Sequence, residues 1–187
     1  MSVDINFRDV HDLSSFPNLR ILMLPSCKLR GIPSFLRNQS TLLHLDLADN
    51  EIVGLIPHWI LENEHLGHLN LSKNFLTRFE GSFWNLSSNL LLLDLSFNQL
   101  QGPFPFIPTL VVLDYSNNRF NSIIPLDIGN RLPFIFMLSF STKVSLDVRI
   151  QLPLPTKVNK WSWSESKRSS RTWICRATIL RVQYQMS

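Results

Sequence analysis

Cysteine is nearly absent from the 187 residues: Cys27 and Cys175 stand far apart, in stretches of different composition, and define no disulfide framework or redox compartment. Glycine is scarce as well, with six in all. No G-x-S-x-G, phosphate-loop, kinase or dinucleotide signature occurs, so nucleophilic and phosphoryl chemistry lack a motif. The expectation is a protein that is not an enzyme and needs no cofactor. The first 25 residues show no charged start, apolar core and small-residue cleavage site, so no secretory leader is visible. The longest apolar run, Leu132 to Phe140, is about half the roughly 20 residues of a membrane helix. As written, the chain is expected neither to enter nor to span a membrane.

What the sequence does hold is leucine together with 13 phenylalanines, the mark of a core built from a recurring residue type. Its length suits one domain of ordinary size. Charge is split rather than spread. Residues 1–140 carry 9 Lys and Arg against 12 Asp and Glu, whereas residues 141–187 carry 9 against 2. The net charge of +4 therefore conceals an acidic body and a basic tail.

Leucine recurs at set offsets. Units open at Leu19, Leu42, Leu66, Leu90 and Leu110, spaced by 23, 24, 24 and 20 residues, and a sixth opens near Ile135. The pattern L-x-x-L-x-L-x-x-N-x-L runs through Leu42, Leu45, Leu47, Asn50 and Ile52, then Leu66, Leu69, Leu71, Asn74 and Leu76, then Leu90, Leu93, Leu95, Asn98 and Leu100. The fifth unit keeps it as Leu110, Leu113, Tyr115, Asn118 and Phe120, and the first has Cys27 in the Asn column. Such a period implies stacked rungs rather than a closed fold.

The L-x-L alternation suits a short strand with one face inward and the other toward solvent. The ladder residues Asn50, Asn74, Asn98 and Asn118 are expected to turn inward and pair with loop backbone that would otherwise be buried without partners. Cys27 is expected in the same slot, as a small weak donor. After the strand, versions of L-x-G-x-I-P follow, complete in Ile52, Gly54, Ile56 and Pro57 and missing from the third unit, Leu76 to Gly81. There Gly is expected to turn the backbone back where a side chain would collide, and Pro to end the extended segment.

Runs such as Leu45 to Asn50, Leu69 to Asn74 and Leu93 to Asn98 resemble the plant-specific leucine-rich repeats of receptor-like proteins, most of all disease-resistance proteins of the Verticillium-wilt type. The resemblance covers roughly residues 16–141 and implies an α/β solenoid: a right-handed horseshoe fragment with short parallel strands on the concave face and an irregular or helical convex side. It further implies a ligand-recognition ectodomain in defence signalling, a glycoprotein at the plasma membrane or outside it, with a protein or peptide ligand and a co-receptor kinase as partners. The family's many further repeats, paired-cysteine caps and membrane helix are missing from this sequence. Two alternatives stand beside the receptor fragment: an inhibitor-type repeat protein acting on a secreted microbial enzyme, and a nonfunctional truncated product.

The repeat is expected to fail inside the sixth unit, where Ile135, Leu138 and Phe140 keep register but Lys143 takes the Asn position. The expected organisation is a degenerate segment over 1–18, repeats over 19–141, and a basic non-repeat tail over 142–187 that is disordered or poorly packed. An altered reading frame or retained intron from about Thr142 would explain the change. A rival reading gives Lys167, Arg168 and Arg171, between Trp163 and Trp173, a role in touching phosphates or a membrane surface. No nucleic-acid signature supports it, and no nucleic-acid partner is expected.

A ligand would meet outward strand positions, since inward ones are spent on the core. These are His44, Asp46, Asp49, His68, Asn70, Lys73, Asp94, Phe97, Asp114 and Asn117, with Leu92 and Val112 beside them. Asp46, Asp94 and Asp114 share one column and read first as a structural feature of the repeat, second as an acidic stripe. His65 and His68 invite a metal reading, but they need not converge and zinc would want further ligands, so no metal is expected. Sequons stand at Asn38, Asn70 and Asn85.

Overall fold

The computed structural model describes residues 18–81, 88–121, 128–141, 159–166 and 172–179. Six short strands form the body of one sheet: β1 (Ile21–Met23), β2 (His44–Asp46), β4 (His68–Asn70), β6 (Leu92–Asp94), β7 (Val112–Tyr115) and β8 (Met137–Ser141). They stack in that order, all parallel. Register follows the sequence period. Leu22, Leu45, Leu69, Leu93, Leu113 and Leu138 stand side by side across the sheet, each one residue along its own rung. The chain is a leucine-rich-repeat solenoid.

From Leu45 onward that inward column is buried, as are the columns on either side of it, led by Leu42, Leu66, Leu90 and Leu110 and by Leu47, Leu71, Leu95 and Tyr115. At β1 the matching Leu19, Leu22 and Leu24 are only partly buried. Leucine suits this role because a rung offers one narrow inward stripe, and each side chain removed from water contributes roughly 1.5 to 3 kcal/mol.

The fourth unit, Leu90 to Thr109, is the short one. Its spacing of 20 residues is closed by aromatic packing: Phe104, Tyr115 and Phe120 lie with ring centroids 4.7 to 5.8 Å apart. The buried Tyr115 hydroxyl donates to the Pro105 carbonyl oxygen at 2.8 Å, so the polar end of the larger side chain is satisfied.

A second parallel pair flanks the main sheet, formed by β3 (Val53–Ile56) and β5 (Phe75–Phe79). The third unit thus makes its strand without the Gly-x-Ile-Pro sequence. Glycine's role also differs from the expectation. A side chain at Gly54 or Gly102 would meet nothing within 4 Å, but both residues sit at positive φ, +95° and +99°. Backbone conformation, not collision, calls for glycine there. The remaining connections are short: a 3-10 turn over Ser34–Asn38, helix α1 (His58–Leu61) preceded by Pro57, and helix α2 (Ile128–Arg131). Among the described residues no helix is long and apolar enough to cross a membrane.

Beyond β8 the sheet changes polarity. Strand β10 (Thr172–Ile179) pairs antiparallel with β8, and β9 (Asn159–Ser166) pairs antiparallel with β10. Over these two stretches of the basic tail the backbone is extended and paired in register. Strand β10 carries Thr172, Trp173, Ile174, Thr178 and Ile179 and β9 carries Trp161 and Trp163, residue types suited to a pleated surface, and the edge of β8 offers β10 a pairing partner. The rest of 142–187, including Lys143, Lys167, Arg168 and Arg171, lies outside the described residues, as do residues 1–17.

Candidate functional site: the outward face of the strands

The inward asparagines set the frame. Asn98 Nδ2 donates to the carbonyl oxygens of Leu71, Leu95 and Ser96 at 2.9, 3.1 and 3.3 Å, and its Oδ1 accepts from the Leu76 N–H at 3.0 Å. Asn50, Asn74 and Asn118 repeat the arrangement, each reaching a carbonyl of the preceding rung and two of its own. All four are buried. Cys27 holds the column position but is exposed, and its thiol reaches only the Pro25 carbonyl at 3.3 Å. It makes one bond where an asparagine makes several.

The residue before each ladder asparagine adopts the left-handed conformation: Asp49, Lys73, Phe97 and Asn117 have φ of 53° to 55°. The kink aims the next side chain inward and leaves Asp49, Lys73 and Phe97 exposed, with Asn117 half-buried. Asp49 is engaged already, since its Oδ2 accepts from the Ser26 hydroxyl at 2.6 Å.

One column along, Asp46, Asn70, Asp94 and Asp114 share a register and a task. Each Oδ1 accepts a backbone N–H two residues later, from Ala48, Ser72, Ser96 and Ser116, at 2.8 to 3.1 Å. This side-chain turn ends the strand. Burial raises the pKa of Asp114; hydrogen bonds from Ser116 and Ser139 oppose the shift, and the neighbouring Asp94 charge adds to it.

His44 and His68 fall in the next column and stack, with ring centroids 4.2 Å apart and planes 20° from parallel. Two histidines a full repeat apart in sequence become nearest neighbours through the register alone. Burial lowers the pKa of His68, and His44 lowers it further. His65 lies apart, exposed before β4, its N–H donating to Asn63 Oδ1. Among the described residues no group of three or more potential ligands is placed to hold a metal.

The same column continues as Leu92, Val112 and Met137, so it is aromatic and polar on β2 and β4 but aliphatic on β6 to β8. Of the sequons, Asn38 is exposed at the end of its 3-10 turn. Asn70 lies on the strand face, its Oδ1 also accepting from the Ser72 hydroxyl at 2.7 Å. Asn85 lies outside the described residues.

Comparison with known proteins agrees with this geometry. Leucine-rich-repeat family models match residues 40–100 and 109–131. The chain belongs to the leucine-rich-repeat proteins of plant receptor type. It is 41% identical over 116 residues to Receptor like protein 27 of Arabidopsis thaliana, a match over 61% of this chain and 14% of that protein. Receptor-like protein 47 of the same plant is 38% identical over 126 residues, covering 65% and 16%. The chain therefore spans about one seventh of the length of these relatives. In structure this leucine-rich-repeat solenoid is similar to the ectodomain of the Arabidopsis receptor kinase SOBIR1, with a TM-score of 0.56, 31% identity, and coverage of 67% and 69%. It is also similar to the plant peptide hormone receptor RGFR1 in complex with RGF2, with a TM-score of 0.51, 30% identity, and coverage of 59% and 18%.

Proposed function

We propose that residues 19–141 form part of the ligand-recognition ectodomain of a plant cell-surface receptor-like protein in defence signalling. The concave face binds a peptide, protein or glycan, and a co-receptor kinase relays the event. Residues 1–18 are then a degenerate lead-in, and 142–187 a segment outside the repeat. The observation that carries this reading is the contrast between strand faces: inward columns repeat Leu and Asn, while the outward column Ile21, His44, His68, Leu92, Val112 and Met137 changes residue type along the stack. A surface built only for stability has no use for that variation. Similarity to a plant peptide hormone receptor solved in complex with RGF2 supports it.

The recognition residues are His44, Asp46, Asp49, His68, Asn70, Lys73, Asp94, Phe97, Asp114 and Asn117. Asn38, Asn70 and Asn85 are glycosylation sites in this reading, and a glycan on Asn70 narrows the usable strip. The test is capture from a library of extracellular peptides and oligosaccharides by the secreted chain, repeated with Val112→Arg on the concave face and Arg30→Ala off it. Binding lost in the first variant and kept in the second is the expected result. Binding indifferent to Val112→Arg, in a variant with an unchanged circular dichroism spectrum, removes the concave face from consideration.

A further inference from the structure

Three rungs of the outward face differ from the others in presenting a continuous apolar surface. The register places Leu92, Val112 and Met137 side by side on β6, β7 and β8. The residues just before them, Leu91, Val111 and Phe136, form a second row, because the N–H of Val111 donates to the Leu91 carbonyl and that of Phe136 to the Val111 carbonyl, both at 2.8 Å. Leu91 and Phe136 are 47% and 55% exposed, too much for core residues. The corresponding positions on β2 and β4 are Leu43, His44, Gly67 and His68, so the apolar grid is confined to one half of the face.

An acidic edge borders this grid. Asp94 and Asp114 face each other across adjacent strands, two residues beyond Leu92 and Val112. Along an extended chain that offset is roughly 7 Å, the spacing between side chains on one side of a strand. The strand backbones here are already paired on both sides within the sheet, so recognition must come through side chains.

We infer that the β6–β8 surface binds an extended peptide in which an apolar side chain is followed, on the same side, by a lysine or arginine. The apolar residue covers the exposed grid, and the cation stands between the two carboxylates, whose mutual repulsion it relieves. Charge complementarity selects this occupant over a glycan, which would leave the grid uncovered, and over an acidic peptide, which would add to the repulsion. The inference rests on the concave face being the recognition surface and adds the ligand's chemistry.

The experiment uses the full chain and three labelled synthetic peptides of equal length: alternating Leu and Arg, alternating Leu and Glu, and alternating Ser and Arg. Anisotropy is expected to show the Leu/Arg peptide binding at least about tenfold tighter than either control. Asp94→Asn combined with Asp114→Asn should remove that advantage over Leu/Glu. These variants keep the turn, since Asn70 already does the same work in the same column. Leu91→Ser with Phe136→Ser should remove the advantage over Ser/Arg. Equal affinity for Leu/Arg and Leu/Glu, or indifference to the double Asn variant, overturns the inference. So does concentration-dependent self-association that buries the grid, read by sedimentation, since the occupant would then be a second copy of the chain. If the library yields acidic or glycan ligands lost in Val112→Arg, the receptor reading stands and this inference alone falls.

Discussion

The inward and outward faces of the same strands obey different rules. Inward, the column through Leu45, Leu69, Leu93 and Leu113 holds one residue type, and Asn50, Asn74, Asn98 and Asn118 make the same bonds in each rung. Outward, one column runs Ile21, His44, His68, Leu92, Val112, Met137 without repeating a chemistry for more than two rungs until the aliphatic stretch begins. Sameness holds the coil together, and difference is what a ligand can read.

The contrast breaks most clearly at the ladder. Asn98→Ala removes four hydrogen bonds; the Leu71, Leu95 and Ser96 carbonyls each keep a second donor, but the Leu76 N–H loses its acceptor, and with about 1 kcal/mol for each lost bond and about 1 to 3 kcal/mol for the stranded N–H the loss should be about 3 kcal/mol or more. Urea unfolding followed by circular dichroism measures it. A loss of under about 1 kcal/mol would mean that water replaces the amide and that the ladder is not a fold determinant.

Tyr115→Phe is a smaller intrusion on the same face. It keeps the ring stack and deletes the bond to the Pro105 carbonyl, for an expected cost of about 1 to 2 kcal/mol in the same assay.

On the outward face the expected effect is smaller still and appears only with pH. His68 has a folded pKa below its ordinary 6.5, so the unfolded chain takes up its proton first. Its contribution is therefore complete above about pH 6.5 and is lost as pH falls from there toward the folded pKa. Denaturation midpoints of wild type and His68→Gln should differ in their fall between pH 7.5 and 5.5, the wild type falling further. Parallel slopes would show that the stack carries no titration-linked stability.

The inward face was almost wholly legible in the sequence, because a period of about two dozen residues states which side chains meet. Leu19 to Leu110 named the rungs, and Asn50 to Asn118 named the ladder. What escaped depends on register between distant residues or on backbone conformation. His44 and His68 are 24 positions apart, and only the parallel pairing makes them stack. Asp46 and Asp94 read first as a structural feature of the repeat, but which feature shows only in the bonds they accept from the Ala48 and Ser96 N–H groups. Strand β5 forms without the motif that announces β3 elsewhere, because neighbouring rungs supply its partner. Cys27 matched the column by position, yet a thiol cannot make the bonds of an amide.

The kinked positions Asp49, Lys73, Phe97 and Asn117 have a further consequence. Each holds a non-glycine residue in the left-handed conformation, which costs Lys73 and Phe97 about 1 to 2 kcal/mol and the short polar Asp49 and Asn117 less. An acid, a base, an aromatic ring and an amide occupy the same site without altering the winding. The molecule thus carries a row of like sockets, in which the occupant's chemistry differs from rung to rung while the scaffold beneath stays fixed.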